Sequence, residues 1–141
     1  MGALNLDGLP PNALLLLDSA PIIYAFENHP EFAGRFAPIF DSHAAGRLRF
    51  AVTTVTIAEI LTGALQASDE AAVRRYRSLF ETWRMVPLDA DIAEQAARLR
   101  AVYRLKLPDA VSAASALAIN ADALVTHDRD FSRLRSLRVI S

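Results

Sequence analysis

The chain has 141 residues, a formal net charge of −1 and no cysteine. That length is the size of one domain, and 52% hydrophobic against 22% charged residues excludes a disordered chain. The missing cysteines exclude disulfides, thiolate zinc sites and a cysteine nucleophile, and the near-neutral charge excludes a nucleic-acid binder that works by overall basicity. The positive charge is almost all arginine, with Lys106 the only lysine. Arginine suits bidentate phosphate contacts, but so uniform a preference reads first as a bias of composition.

Residues 1–12 carry Gly2, Gly8, Pro10 and Pro11 and read as an irregular N-terminal leader; residues 13–141 read as one domain. Ala13–Leu17 is a continuous apolar run, the pattern of a parallel strand covered on both faces. It is too short to span a membrane and lacks the flanks of a signal peptide, so a soluble, cytoplasmic protein is expected. The run ends in Asp18 and Ser19. An aspartate there lies at the carboxyl edge of a sheet, where sites form in α/β proteins, although it also suits a helix N-cap.

Pro21–Phe26 reads as a short helix. A second helix is expected from Pro30, with Phe32, Phe36, Ile39, Phe40 and His43 at helical spacing and Gly46 as its stop. This aromatic stripe reads as core or a subunit interface, His43 as a packed histidine, and His29 as a loop residue without a partner. Leu48–Val52 alternates as a strand. A third helix follows, capped by Thr53, Thr54 or Thr56. Thr56 and Glu59 match a capping box; a start at Thr53 or Thr54 would instead put Glu59 inside the helix, among Thr56, Thr62 and Gly63. Ile57, Ile60, Leu61, Ala64 and Leu65 form the apolar face.

Ser68 is the expected cap of a fourth helix reaching Trp83, with Val73, Tyr76, Phe80 and Trp83 inward and Arg74, Arg75 and Arg77 in solvent. Met85–Leu88 is a weak strand that Pro87 demotes to an edge. Asp89 caps a fifth helix carrying Ile92, Ala96, Leu99 and Tyr103. Pro108 suits a first helical position, and Asp109 then falls in a first turn, where the helix dipole favours a negative charge. From Asp109 to Ile119 nearly every residue is apolar or small, so this sixth helix is expected to be buried on most sides. Ala123–Thr126 reads as a short strand ending in His127, Asp128, Arg129 and Asp130, and Leu137–Ile140 as a last strand. Strands alternating with helices imply a mostly parallel sheet with helices on both faces.

Asp18, Glu59, Asp109 and Asp128 each start or flank an element aimed at one sheet edge, among small or apolar neighbours. Converging carboxylates repel and raise one another's pKa. A hard divalent cation such as Mg²⁺ or Mn²⁺ removes that conflict, because it takes oxygen ligands, and such a metal suits phosphodiester chemistry. The three histidines have no zinc-ligand spacing, and no Gly-rich phosphate loop is present. Asp130 ranks below Asp128, because its neighbour Phe131 reads as a packing anchor.

The ordered set LLLLDSAPIIYAFE, TTVTIAEILTG, LKLPDAVSAASAL and LVTHDRDF resembles the PIN-domain ribonucleases, and most nearly the VapC-type toxins of bacterial toxin–antitoxin pairs. The resemblance runs from about Leu14 to Ile140. It implies a three-layer α/β/α PIN-like fold with a mostly parallel five-stranded sheet, and Mg²⁺- or Mn²⁺-dependent cleavage of RNA that leaves a 3′-hydroxyl and a 5′-phosphate. It assigns Asp18, Glu59, Asp109 and Asp128 as catalytic and metal-binding acids, with Ser19 and Thr126 as supporting hydroxyls. Arg104, Lys106 and Arg129 flank the motifs as candidate RNA-phosphate contacts. The expected partners are a cognate antitoxin protein and a second copy of the chain as a homodimer, with no membrane. Ala20 stands where a polar residue is frequent in the family, and the leader is long for it. A housekeeping RNA-processing nuclease and a catalytically silent PIN-like binding module are the alternatives. A phosphoacceptor receiver domain fits poorly, since its lysine would follow a late strand and Lys106 precedes Pro108.

Overall fold

Five apolar residues, four of them leucine, make the middle of the sheet. The computed structural model describes residues 4–141, and the part of the expected leader at residues 1–3 lies outside them. β1 (Ala13–Leu17) is buried at every position. It pairs in parallel with β2 (Leu48–Thr53) on one side and β4 (Ala123–Val125) on the other. β3 (Arg84–Val86) and β5 (Val139–Ile140) complete a five-stranded sheet of order β3-β2-β1-β4-β5, in which every pairing is parallel. The side-chain period of two splits β1 between two cores. Ala13, Leu15 and Leu17 join the one built with α1 (Ser19–Phe26), α2 (Ala33–Ala44), α3 (Thr54–Gln66) and α4 (Glu70–Phe80). Leu14 and Leu16 join the one built with α5 (Ala90–Tyr103) and α6 (Leu107–Ala118). The fold is thus the three-layer sandwich expected. No helix among the described residues is long and apolar enough to cross a membrane.

The chain moves from β1 outward to β2 and β3, then crosses back to place β4 on the far side of β1. The order of strands therefore reverses between β1 and β4, and a crevice opens beyond their carboxyl ends. Asp122 locks this pair at the opposite end, its Oδ2 accepting from the Leu14 amide at 2.8 Å.

Several boundaries differ from expectation for local reasons. Thr53, not Thr56, caps α3: its Oγ1 accepts from the Thr56 amide at 2.9 Å, so Glu59 lies inside the helix and forms no capping box. Asp69 rather than Ser68 caps α4, accepting from the Ala72 amide at 2.9 Å, while Ser68 takes a left-handed φ of 55°. Serine and aspartate are comparable caps, and it is the left-handed backbone at Ser68 that leaves the position to Asp69. α4 ends at Phe80, although Trp83 still packs inward. α1 begins at Ser19 and α2 at Ala33, so Pro30 lies in the connection before α2. β3 starts one residue before Met85 and stops before Pro87. β5 is limited to Val139 and Ile140. α6 starts at Leu107, which makes Pro108 its second residue.

Leu65, expected on the inner face of α3, is instead 51% exposed. Residues 4–12 form no helix or strand, yet Leu4, Leu6 and Leu9 pack on the core, and Arg138 Nη2 donates to the carbonyls of Asn5 and Asp7. His43 is the packed histidine expected. Its ring stacks on Phe50 at 4.1 Å between centroids, and burial lowers its pKa.

Candidate active site

The end of β1 delivers Asp18 to the crevice. Its side chain caps α1 by accepting from the Ser19 amide at 3.0 Å, and its other oxygen accepts from Thr126 Oγ1 at 2.9 Å. Asp18 is thus the helix cap expected and at the same time lines the crevice. Thr126 is fully buried and serves two acids at once. Its hydroxyl donates to Asp18 and accepts from the Asp128 amide at 3.0 Å. Thr126 thus positions the loop after β4 against the end of β1. Ser19 contributes its amide to Asp18 and a place on the cleft wall.

Asp109 enters from the other face of the sheet. It lies in the first turn of α6, and the whole run from Asp109 to Ala116 is buried, because these small residues let the helix press into the sheet. Its Oδ2 is buried and has no hydrogen-bond partner among the described residues. Asp109, Asp128 and Asp130 each offer an oxygen such that the three lie within 4.8 Å of one another. Asp128 Oδ1 also accepts from the Asp130 amide at 2.8 Å, which folds the turn back on itself. Asp130 therefore belongs in the cluster, despite the ranking that its neighbour suggested. Phe131 is the packing anchor expected, fully buried, and its neighbour Asp130 lies with Asp109 and Asp128. Asp18 and Glu59 lie outside this tightest group but share its cleft.

Electrostatics agree with crowding. Burial pushes the Asp109 carboxyl up to about 7, with Asp18 and Asp128 adding and Lys106 opposing. Asp18 is raised above 3.8, by burial first and by Asp128 last; the bonds from Thr126 and Ser19 pull the other way. Glu59 is exposed on the rim, and its carboxyl is raised by partial burial and by Asp18. No basic side chain forms an ion pair with these acids among the described residues.

A cleft of about 720 Å³ joins the parts. Asp18, Glu59, Asp109 and Asp128 all line it, together with Lys106 and Arg129. Arg104 does not; it ends α5 in a left-handed conformation at φ 57° and is exposed. Sequence reasoning misses Tyr24, Phe32 and His127, which also line the cleft. Phe32 reads as core or interface because its helical spacing matches the stripe, and a period says nothing about where a helix end meets a loop from the far end of the chain.

The fold and this cleft define a class: a parallel α/β sandwich with a carboxylate cluster at the strand-order switch. Comparison with known proteins narrows it. The family model described as the PIN domain matches residues 15–137. Ribonuclease VapC4 of Mycobacterium tuberculosis is 34% identical over 118 residues, which cover 78% of this chain and 90% of that protein. A chain of a toxin–antitoxin complex from Klebsiella pneumoniae superposes with a TM-score of 0.72 at 26% identity, over 90% of this chain and 96% of that one. A chain of VapBC-1 from nontypeable Haemophilus influenzae gives 0.71 at 23%, over 89% and 96%. The chain belongs to the PIN-domain family, on its VapC-type branch.

Proposed function

We propose that this protein is a divalent-metal-dependent endoribonuclease that uses Mg²⁺ or Mn²⁺ and acts in the cytoplasm as the toxin of a toxin–antitoxin pair. The observation that carries the reading is Asp109. Its buried Oδ2 has no donor among the described residues, and it faces a space that other carboxylates from distant segments share. A buried acceptor left unpaired is costly, and an oxygen-only donor set of this kind fits a hard divalent cation. Asp18, Asp109 and Asp128 would hold the ion, Glu59 would complete the acidic ring, and Asp130 adds a donor. When bound, the ion supplies water activation and charge neutralisation at a phosphoryl group.

The chain's own side chains have distinct tasks in this reading. Thr126 holds Asp18 and the Asp128 loop in register. Glu59 takes a proton from the attacking water at its carboxylate, and its raised pKa makes it a better base than an ordinary glutamate. Lys106 and Arg129 bind phosphates along the strand, which gives affinity without base choice. Hydrolysis adds water across one P–O bond, leaving a 3′-hydroxyl and a 5′-phosphate. The likeness to VapC4, named a ribonuclease, and to chains from toxin–antitoxin complexes supports RNA as substrate and an antitoxin as partner. A homodimer is part of the same reading and is checked by light scattering.

The test uses purified protein and RNA. Cleavage is expected to need Mg²⁺ or Mn²⁺, to stop in EDTA, and to be lost in Asp18→Asn and Asp109→Asn. Cleavage that persists in EDTA, or in both variants, rejects the assignment. Mapping RNA ends after brief expression, with Asp109→Asn as control, identifies the target.

A further inference from the structure

The carboxylate cluster leaves one side of the cleft unexplained. That side is aromatic. His127, next to Asp128, presents its ring to Phe32 at 4.4 Å between centroids and to Tyr24 at 5.4 Å, and Tyr24 Oη and His127 Nδ1 share a hydrogen bond of 2.9 Å. Phe36 backs the His127 ring at 5.9 Å and is fully buried. His29 stacks on Phe32 at 5.2 Å and 19°, and its Nδ1 accepts from the Glu31 and Phe32 amides. The wall is thus held by hydrogen bonds at both ends.

Tyr24, Phe32 and His127 are each only half-buried, and all three line the cleft. Core packing does not require this exposure, since the adjacent Phe36 is fully covered. The wall comes from α1, the residue before α2 and the loop after β4, on one side of the sheet; Lys106 comes from the start of α6, on the other. A strand whose phosphates meet Lys106 and the acids therefore runs past this aromatic wall within the same cleft.

Resting on the nuclease reading, we propose that Phe32 and His127, braced by Tyr24, form a stacking subsite for one unpaired nucleobase next to the scissile phosphate. The occupant is a base of single-stranded RNA, because a base inside a duplex offers no open face. Stacking of this kind tolerates several bases. His127 Nε2 makes no hydrogen bond among the described residues, so it is the atom that adds preference by meeting a base edge.

The probe is an octamer of uridylate with one central 2-aminopurine, whose fluorescence falls when it stacks. Binding is measured in EDTA, so that the strand stays whole. The wild-type protein is expected to quench the probe. Phe32→Leu, which keeps an apolar side chain at this position, is expected to lose the quenching and to weaken binding by about ten-fold or more. Phe32→Tyr restores both, which a merely structural role for Phe32 would not predict, and thermal melting of each variant reports its fold. If Phe32→Leu melts with the wild type and keeps both quenching and affinity, the subsite is wrong while metal-dependent cleavage by the wild type still stands. If the wild type neither binds the octamer nor cuts RNA, the nuclease reading and the subsite fall together.

Discussion

Replacing Asp109 by asparagine should stabilise the metal-free protein while it abolishes cleavage. In the metal-free state this carboxyl titrates near 7 rather than 3.8, because burial and the charges of Asp18 and Asp128 oppose its ionisation. The folded protein holds the proton more tightly than the unfolded chain does. The stability this contributes is complete below about pH 4 and is lost as pH rises through about 7. The ceiling on that loss is about 4 kcal/mol, at 1.36 kcal/mol for each tenfold change. The cleft is open to water, and screening brings the expected value to about 2 kcal/mol. An asparagine side chain at this position is neutral and nearly isosteric, so Asp109→Asn escapes the loss. For a chain of this size the gain at pH 8 corresponds to a rise in Tm of roughly 5–8 °C. Thermal melts in EDTA at pH 5 and pH 8 provide the assay. The variant's advantage should be about 1 kcal/mol at pH 5, where the folded carboxyl is still protonated but the unfolded one is not, and about twice that at pH 8; Mg²⁺ or Mn²⁺ should raise the wild-type Tm at pH 8 but not the variant's. A variant no more stable than the wild type at pH 8 without metal would show that the acids do not repel, and the case for a cation between them would fail.

Three further outcomes follow from the geometry. Thr126→Val keeps the shape of the side chain but leaves Asp18 Oδ2 and the Asp128 amide without their shared partner; urea titration should give a loss of about 2–4 kcal/mol, and RNA cleavage should fall with it. Asp130→Asn removes one oxygen from the group within 4.8 Å, so the Mg²⁺ concentration for half-maximal cleavage should rise by about ten-fold or more; an unchanged metal requirement would return Asp130 to the role of a turn residue. At the start of α4, Asp69→Ala should cost about 1 kcal/mol, whereas Ser68→Gly should be neutral or stabilising by up to about 1 kcal/mol; equal losses in chemical denaturation would put the cap at Ser68 after all.

Much of this molecule was legible from residue order alone. The Ala13–Leu17 run read as a strand covered on both faces, because nothing in it is fit to meet water. The run of small and apolar residues after Asp109 read as a helix buried on most sides. Strands alternating with helices then imposed a parallel sheet, which puts Asp18 and Asp128, each just past a strand, at one edge; Glu59 and Asp109 stand on helices, and it was the ordered motifs that grouped all four, which line one cleft. Cap identity was less legible, since Thr53, Thr56, Ser68 and Asp69 all have the right chemistry and only the local backbone selects among them.

Tertiary structure alone decided the rest. Asp130 joins Asp109 and Asp128 although it comes from a different segment than Asp109, and no local pattern brings those two segments together. Thr126 bridges two acids because the return of the chain past β1 puts β4 beside it. The Tyr24–His127 bond joins residues 103 apart in the chain. Hydrophobic period and charge are properties of short segments and survive in a linear reading. A meeting between two loops depends on how whole layers stack, and that is settled only when the complete sheet has formed.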